Sequence, residues 1–129
     1  MLCLDTNIAI DFLRGDREII KKISLIKEKE DIFLTSITLC ELFKGVSLSS
    51  KSENELKIVE EFVNSNEVLD LDKNASREFG NIFSKLHKIG KMIPESDLLI
   101  ASIVKANNSV LVTRDKKHFE NMGIQVEIW

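Results

Sequence analysis

Proline and glycine are scarce, with one proline, Pro94, and five scattered glycines in 129 residues. Nothing therefore reads as a linker, a low-complexity tract or an internal repeat, and residues 1–129 are expected to form a single domain. Cysteine is equally sparse. Cys3 and Cys40 could close only one disulfide, and both lie in apolar segments without the paired spacing of a zinc site. They are expected to be buried free thiols in a reducing cytoplasm. No apolar run approaches the roughly 18 residues of a membrane span. The opening MLCLDTN puts an acid at position 5, where an export signal would carry basic residues and then an apolar stretch. A cytoplasmic protein with no membrane partner is the expectation. Charge of one sign is also lacking: 21 acids face 18 bases, a formal net charge of -3, which argues against a basic surface that coats nucleic acid. Neither G-x-G-x-x-G nor G-x-x-x-x-G-K-[ST] occurs, which removes the dinucleotide site and the P-loop.

What the chain does have is a 43% hydrophobic content arranged in alternating short and long segments, enough for one packed core. Strand-like runs at Leu2 to Leu4, Ile32 to Leu34, Val68 to Leu71, Ser109 to Thr113 and Gln125 to Ile128 alternate with helical stretches. Ile19, Ile20, Ile23 and Ile26 recur at helical spacing, as do Leu39, Leu42, Phe43 and Val46, and Phe79, Ile82, Phe83 and Leu86. This alternation predicts an α/β fold, with a mainly parallel sheet of about five short strands covered by helices on both faces.

Four acids fall at one edge of that architecture. Asp5 directly follows the first strand, and Asp115 follows the Ser109 to Thr113 strand. Glu41 lies in the first turns of the helix after the second strand. Asp97 opens a helix, and helices of such units begin where the preceding strands end, at the edge where open α/β sheets place ligands. Each acid alone has a bland explanation as a helix cap or dipole partner, Glu41 as part of a capping box beginning at Thr38. Together they are harder to explain that way. Two carboxylates about 5 Å apart repel by roughly 3 kcal/mol at an effective dielectric near 20, so the group either protonates or gathers a cation. All-oxygen donors select a hard ion, Mg²⁺ or Mn²⁺.

The segments Leu4-Asp5-Thr6-Asn7, Ser36-Ile37-Thr38-Leu39-Cys40-Glu41-Leu42, Gly90 to Ala101 and Thr113-Arg114-Asp115-Lys116-Lys117-His118-Phe119, in this order and spacing, together resemble the PIN domain family and its VapC-like toxin branch. The resemblance implies a three-layer α/β/α fold and a metal-dependent endoribonuclease. Its quartet would be Asp5, Glu41, Asp97 and Asp115, with Asp5 and Asp97 the principal ligands of Mg²⁺ or Mn²⁺. It further implies an RNA substrate, a homodimer and a small antitoxin partner. Two positions depart from the family pattern: Asp115, where many relatives carry Asn, and His118, where many carry an acid.

Around the quartet, Asn7 and Thr113 are candidates to hydrogen-bond a carboxylate, and Arg114 and Lys116 to hold substrate phosphates. His87 and His118 are expected at the surface with no catalytic role. Leu48, Leu56, Phe62 and Val63 form an apolar stripe suited to satellite core or to a dimer surface. Two other readings compete. An Mg²⁺-dependent phosphatase or phospho-receiver domain also collects acids at a sheet edge, but with a second acid close to the first-strand Asp, where this chain has Thr6-Asn7. A catalytically inactive PIN-like binding module for RNA or protein would usually have lost one of the four acids.

Overall fold

A computed structural model describes residues 1–129. The chain runs β1 (Leu2–Leu4), α1 (Thr6–Leu13), α2 (Arg17–Lys27), β2 (Ile32–Thr35), α3 (Ser36–Ser47), α4 (Ser52–Asn64), β3 (Glu67–Leu69), α5 (Lys73–Lys88), α6 (Glu95–Ala106), β4 (Val110–Thr113), a one-turn 3-10 helix (Lys116–Phe119) and β5 (Gln125–Ile128). The five strands form one sheet in the order β3-β2-β1-β4-β5, and every pairing is parallel.

Alternation along the strands decides which helices go where. Leu2 and Leu4 of β1, Ile32 and Leu34 of β2 and Val112 of β4 face one side. There they meet Ile8 and Ala9 of α1, Ile19 and Ile23 of α2, Leu42 and Val46 of α3, and Val59 and Phe62 of α4. Cys3 and Leu111 point the other way, against Ile82 and Leu86 of α5 and Leu98, Ala101 and Val104 of α6. The result is the expected three-layer α/β/α arrangement.

Local chemistry fixes the helix ends. Asp16 accepts from the amides of Glu18 and Ile19 at the start of α2, and Asp72 accepts from Ala75 at the start of α5. The turns after α1 and α5 use Gly15 and Gly90 at φ +84° and +67°, backbone angles that side-chain-bearing residues rarely adopt.

The order β3-β2-β1-β4-β5 has its switch between β1 and β4. From β1 the chain moves to one side through α1 to α4, and it returns on the other side through α5 and α6. Connections on opposite faces diverge at that point and leave a crevice beyond the strand ends. Asp5 is the first residue past β1, and Thr113 is the last of β4.

Of the two readings of the apolar stripe, core holds for Phe62 and Val63, and the expected burial of Cys40 needs correction. Phe62 is core, stacked on Phe12 with ring centroids 5.2 Å apart, and Val63 packs against the same cluster, so only Leu48 and Leu56 of that stripe remain exposed. The turn of α4 that carries Phe62 faces α1, so the core reading holds for that half of the stripe. Cys40 is exposed, because it lies on the outer side of α3, away from the face carrying Leu42 and Val46. Cys3 is buried as expected, and burial, aided by the charge of Asp5, pushes its thiol up to about 12.

Candidate active site

Asp5 is 4% exposed, a carboxylate almost sealed beneath the crevice. Its Oδ1 accepts from the Thr6 amide at 2.9 Å and its Oδ2 from the Thr113 hydroxyl at 2.7 Å. Thr113 in turn accepts from the Asp115 amide at 3.1 Å, so one hydroxyl ties the end of β1 to the turn after β4.

Glu41 is held by a chain of hydroxyls whose direction follows from counting protons. Thr6 donates to Glu41 Oε1 at 2.8 Å, so it must accept from Thr38, 3.0 Å away. Thr38, its one hydroxyl proton used, accepts from Thr35 at 3.3 Å, and the Thr35 oxygen accepts from the Thr38 amide at 3.1 Å. Thr35 and Thr38 are fully buried. This relay begins at the N-cap of α3 and ends on an acceptor oxygen of Glu41, and each link polarises the next.

Asp97, in the first turn of α6, brings the third carboxylate to the crevice, and Asp115 the fourth. His118 lies between them, with Nδ1 2.8 Å from Asp97 Oδ2 and 3.1 Å from Asp115 Oδ2. Burial raises the Asp5 carboxyl above its ordinary range. The hydrogen bonds from Thr113 and Thr6 oppose that rise, and the charge of Asp115 adds to it. Asp97 is also raised, first by burial and then by Asp5, with a smaller push from Glu41, while His118 pulls it back. The four predicted acids thus share one rim and feel one another.

No three acidic, thiol or imidazole side chains converge into a ready cage for an ion. The donors nevertheless fit a hard cation of the magnesium type, which keeps several waters and takes one or two carboxylates plus substrate phosphates. The raised Asp5 and Asp97 are the kind of strained carboxylates that such an ion relieves. A cleft of about 440 Å³ adjoins Glu41, with Arg14 and Lys51 in its lining.

The supporting residues fall differently from expectation. Thr113 bonds the Asp5 carboxylate. Asn7 does not: it is exposed on the outer side of α1, and the preceding Thr6 makes the bonds in its place. Arg114 is not a free cation, since its Nη1 pairs with Asp11 of α1 at 3.0 Å, while Lys116 is exposed at the rim. His118, expected to be an uninvolved surface residue, is in the site. Its three-residue spacing from Asp115 was the signal, because one turn of 3-10 helix stacks residues i and i+3. Thr6 and Thr38 could have been found from their positions beside Asp5 and three residues before Glu41.

Residues 2–124 match the PIN domain family. The chain belongs to the PIN domain family. Within it, similarity runs to the VapC branch. The chain is 32% identical over 128 residues to Ribonuclease VapC2 of Haemophilus influenzae, covering 98% of this chain and 96% of that one. It is 33% identical over 127 residues to the tRNA(fMet)-specific endonuclease VapC of Salmonella typhimurium, with the same coverage. Among solved structures, VapBC2 from Rickettsia felis, bound to a DNA fragment from its promoter, superposes with a TM-score of 0.93 at 30% identity over 99% of this chain and 98% of that one. DNA-bound VapBC from Salmonella typhimurium gives 0.92 at 32% identity over 99% and 97%. This PIN fold carries its acids where the strands β1 and β4 part.

Proposed function

We propose that this PIN-family chain, with residues 1–129 acting as one domain, is an endoribonuclease toxin that hydrolyses RNA phosphodiester bonds with the help of Mg²⁺ or Mn²⁺. The observation that carries the reading is the rim of four carboxylates, Asp5, Glu41, Asp97 and Asp115, at the switch point of the sheet, in a chain whose relatives are named ribonucleases and endonucleases. Asp5 and Asp97 would hold the ion, with Glu41 and Asp115 completing the set directly or through water. When bound, such an ion makes water nucleophilic near neutral pH and stabilises charge on the transferring phosphate.

The chain's own residues do the rest. Thr113 and the Thr6 amide aim both oxygens of Asp5, and the threonine relay keeps Glu41 Oε1 an acceptor, able to orient a water at its other oxygen. Lys116 can steady the substrate backbone, and Arg114 can do so while anchored to Asp11. A 5′-phosphate and a 3′-hydroxyl are the expected products.

The solved neighbours include VapBC assemblies, which supports a small antitoxin partner for this chain, and a homodimer is part of the same reading. The test is cleavage of labelled RNA by folded Asp5→Asn and Asp97→Asn proteins. Each is expected to lose about a hundredfold or more of the rate, and undiminished Mg²⁺-dependent cleavage would overturn the assignment.

A further inference from the structure

The acidic rim is braced in two different ways. Asp5 and Glu41 receive only uncharged donors, from Thr113, Thr6 and the Thr6 amide. Asp97 and Asp115 instead share one imidazole nitrogen, His118 Nδ1, at 2.8 and 3.1 Å. Resting on the divalent-cation reading above, we propose that His118 takes the place of a second cation, so that each chain holds one divalent ion on the side of Asp5, Asp97 and Glu41, and not two.

The geometry favours this in three respects. An ion bridging Asp97 and Asp115 would draw on the Oδ2 atoms to which the imidazole N–H is already directed, and small hard cations demand their oxygens at about 2.0–2.1 Å in a near-octahedral set. The ring is also seated by its surroundings. The His118 amide approaches Asp115 Oδ1 at 3.4 Å, and the next residue, Phe119, is buried among Ile82, Leu98 and Met122, so lifting the ring means disturbing the turn. Finally, Asp97 touches both halves: its Oδ2 is held by His118 at 2.8 Å while it feels the charges of Asp5 and Glu41. It can therefore serve an ion on one side while remaining tied on the other.

The experiment is a Mn²⁺ titration of the purified chain by calorimetry, with electron paramagnetic resonance to count bound ions and detect coupling between them. The wild type is expected to bind one ion per chain. His118→Asn, whose side-chain amide can place an N–H where Nδ1 stands, should also bind one. His118→Glu replaces the donor with a carboxylate and should bind two, with spin coupling between neighbouring ions. If circular dichroism shows that His118→Glu does not fold, His118→Ala is counted in its stead, and it too should gain a second ion, at least tenfold weaker than the first. Two ions in the wild type, or a count that stays at one in the folded variant, would remove the role of His118 and leave the cation reading standing. No Mn²⁺ bound by the wild type would overturn both.

Discussion

The two ends of the sheet handle charge in opposite ways. Where the strands begin, acids meet cations: the amino terminus of Met1 lies 2.9 Å from Glu30. At the far end of α6 from Asp97, Lys105 Nζ lies 3.2 Å from Glu78 Oε2, close enough to pair charges although not aligned as a hydrogen bond. Where the strands end, four carboxylates face one another with one imidazole among them. The first end is arranged for stability, whereas the second keeps Asp5 buried and the carboxyls of Asp5 and Asp97 raised, the kind of strain that gathers at functional sites.

Divalent metal should separate the two ends most sharply. At about a hundred times its dissociation constant, an ion that binds only the folded chain stabilises it by about 2.7 kcal/mol, a rise in melting temperature that Asp97→Asn should largely lose and Glu78→Gln should keep. Next in size is Thr6→Val, which cuts the relay and leaves Glu41 without its donor. Cleavage should fall about tenfold, Thr6→Ser should recover most of it, and equal rates for Val and Ser would show that the relay has no role.

Without metal, Asp5→Asn should be more stable than the wild type at neutral pH by about 1 kcal/mol, as substitutions that relieve a strained functional site commonly are. The sign follows from the raised carboxyls of Asp5 and Asp97. Their ionised forms burden the folded state in full above the folded value, and the burden disappears as pH falls through that value toward the ordinary 3.8. Thermal melts from pH 7 to pH 4 should show the advantage of Asp5→Asn shrinking; an advantage that grew would reverse the assignment. The smallest effect is expected at the other end, where Glu30→Gln should cost less than about 0.5 kcal/mol in thermal melts and leave cleavage unaltered.

The fold was largely legible, because its signal is periodic. Strand positions such as Leu2 and Leu4 against Cys3 announce two faces, and the helical stripes on α2 and α5 announce what covers them. The gathering of the four acids at one edge was legible too, since parallel topology alone sends strand ends and helix starts there. What the sequence left hidden was rotational detail. Asn7 and Thr6 are neighbours, and only the phase of α1 decides which of them faces Glu41. Arg114 reads as a free cation until α1 brings Asp11 beside it. His118 reads as a surface residue until the 3-10 turn places its ring between two acids. The contacts of Thr6 with Glu41, of Arg114 with Asp11 and of His118 with Asp97 join elements distant in sequence, which no local pattern encodes, whereas the spacing of His118 from Asp115 is local and readable.

Thr113 and Asp5 stand 108 residues apart in the chain and 2.7 Å apart in space. β1 emerges from the ribosome well before its neighbour β4, and until β4 follows, β1 has β2 alone on one flank. Chains are made at about 5–20 residues per second, so for several seconds the nascent protein carries Asp5 without the hydroxyl that aims it and without Asp97, Asp115 or His118 beside it. Assembly of the rim is thereby deferred until β4 and the turn after it have been made. A chain cut short before β4 keeps Asp5, Glu41 and Asp97, three of the four rim acids, but has no crevice to hold them.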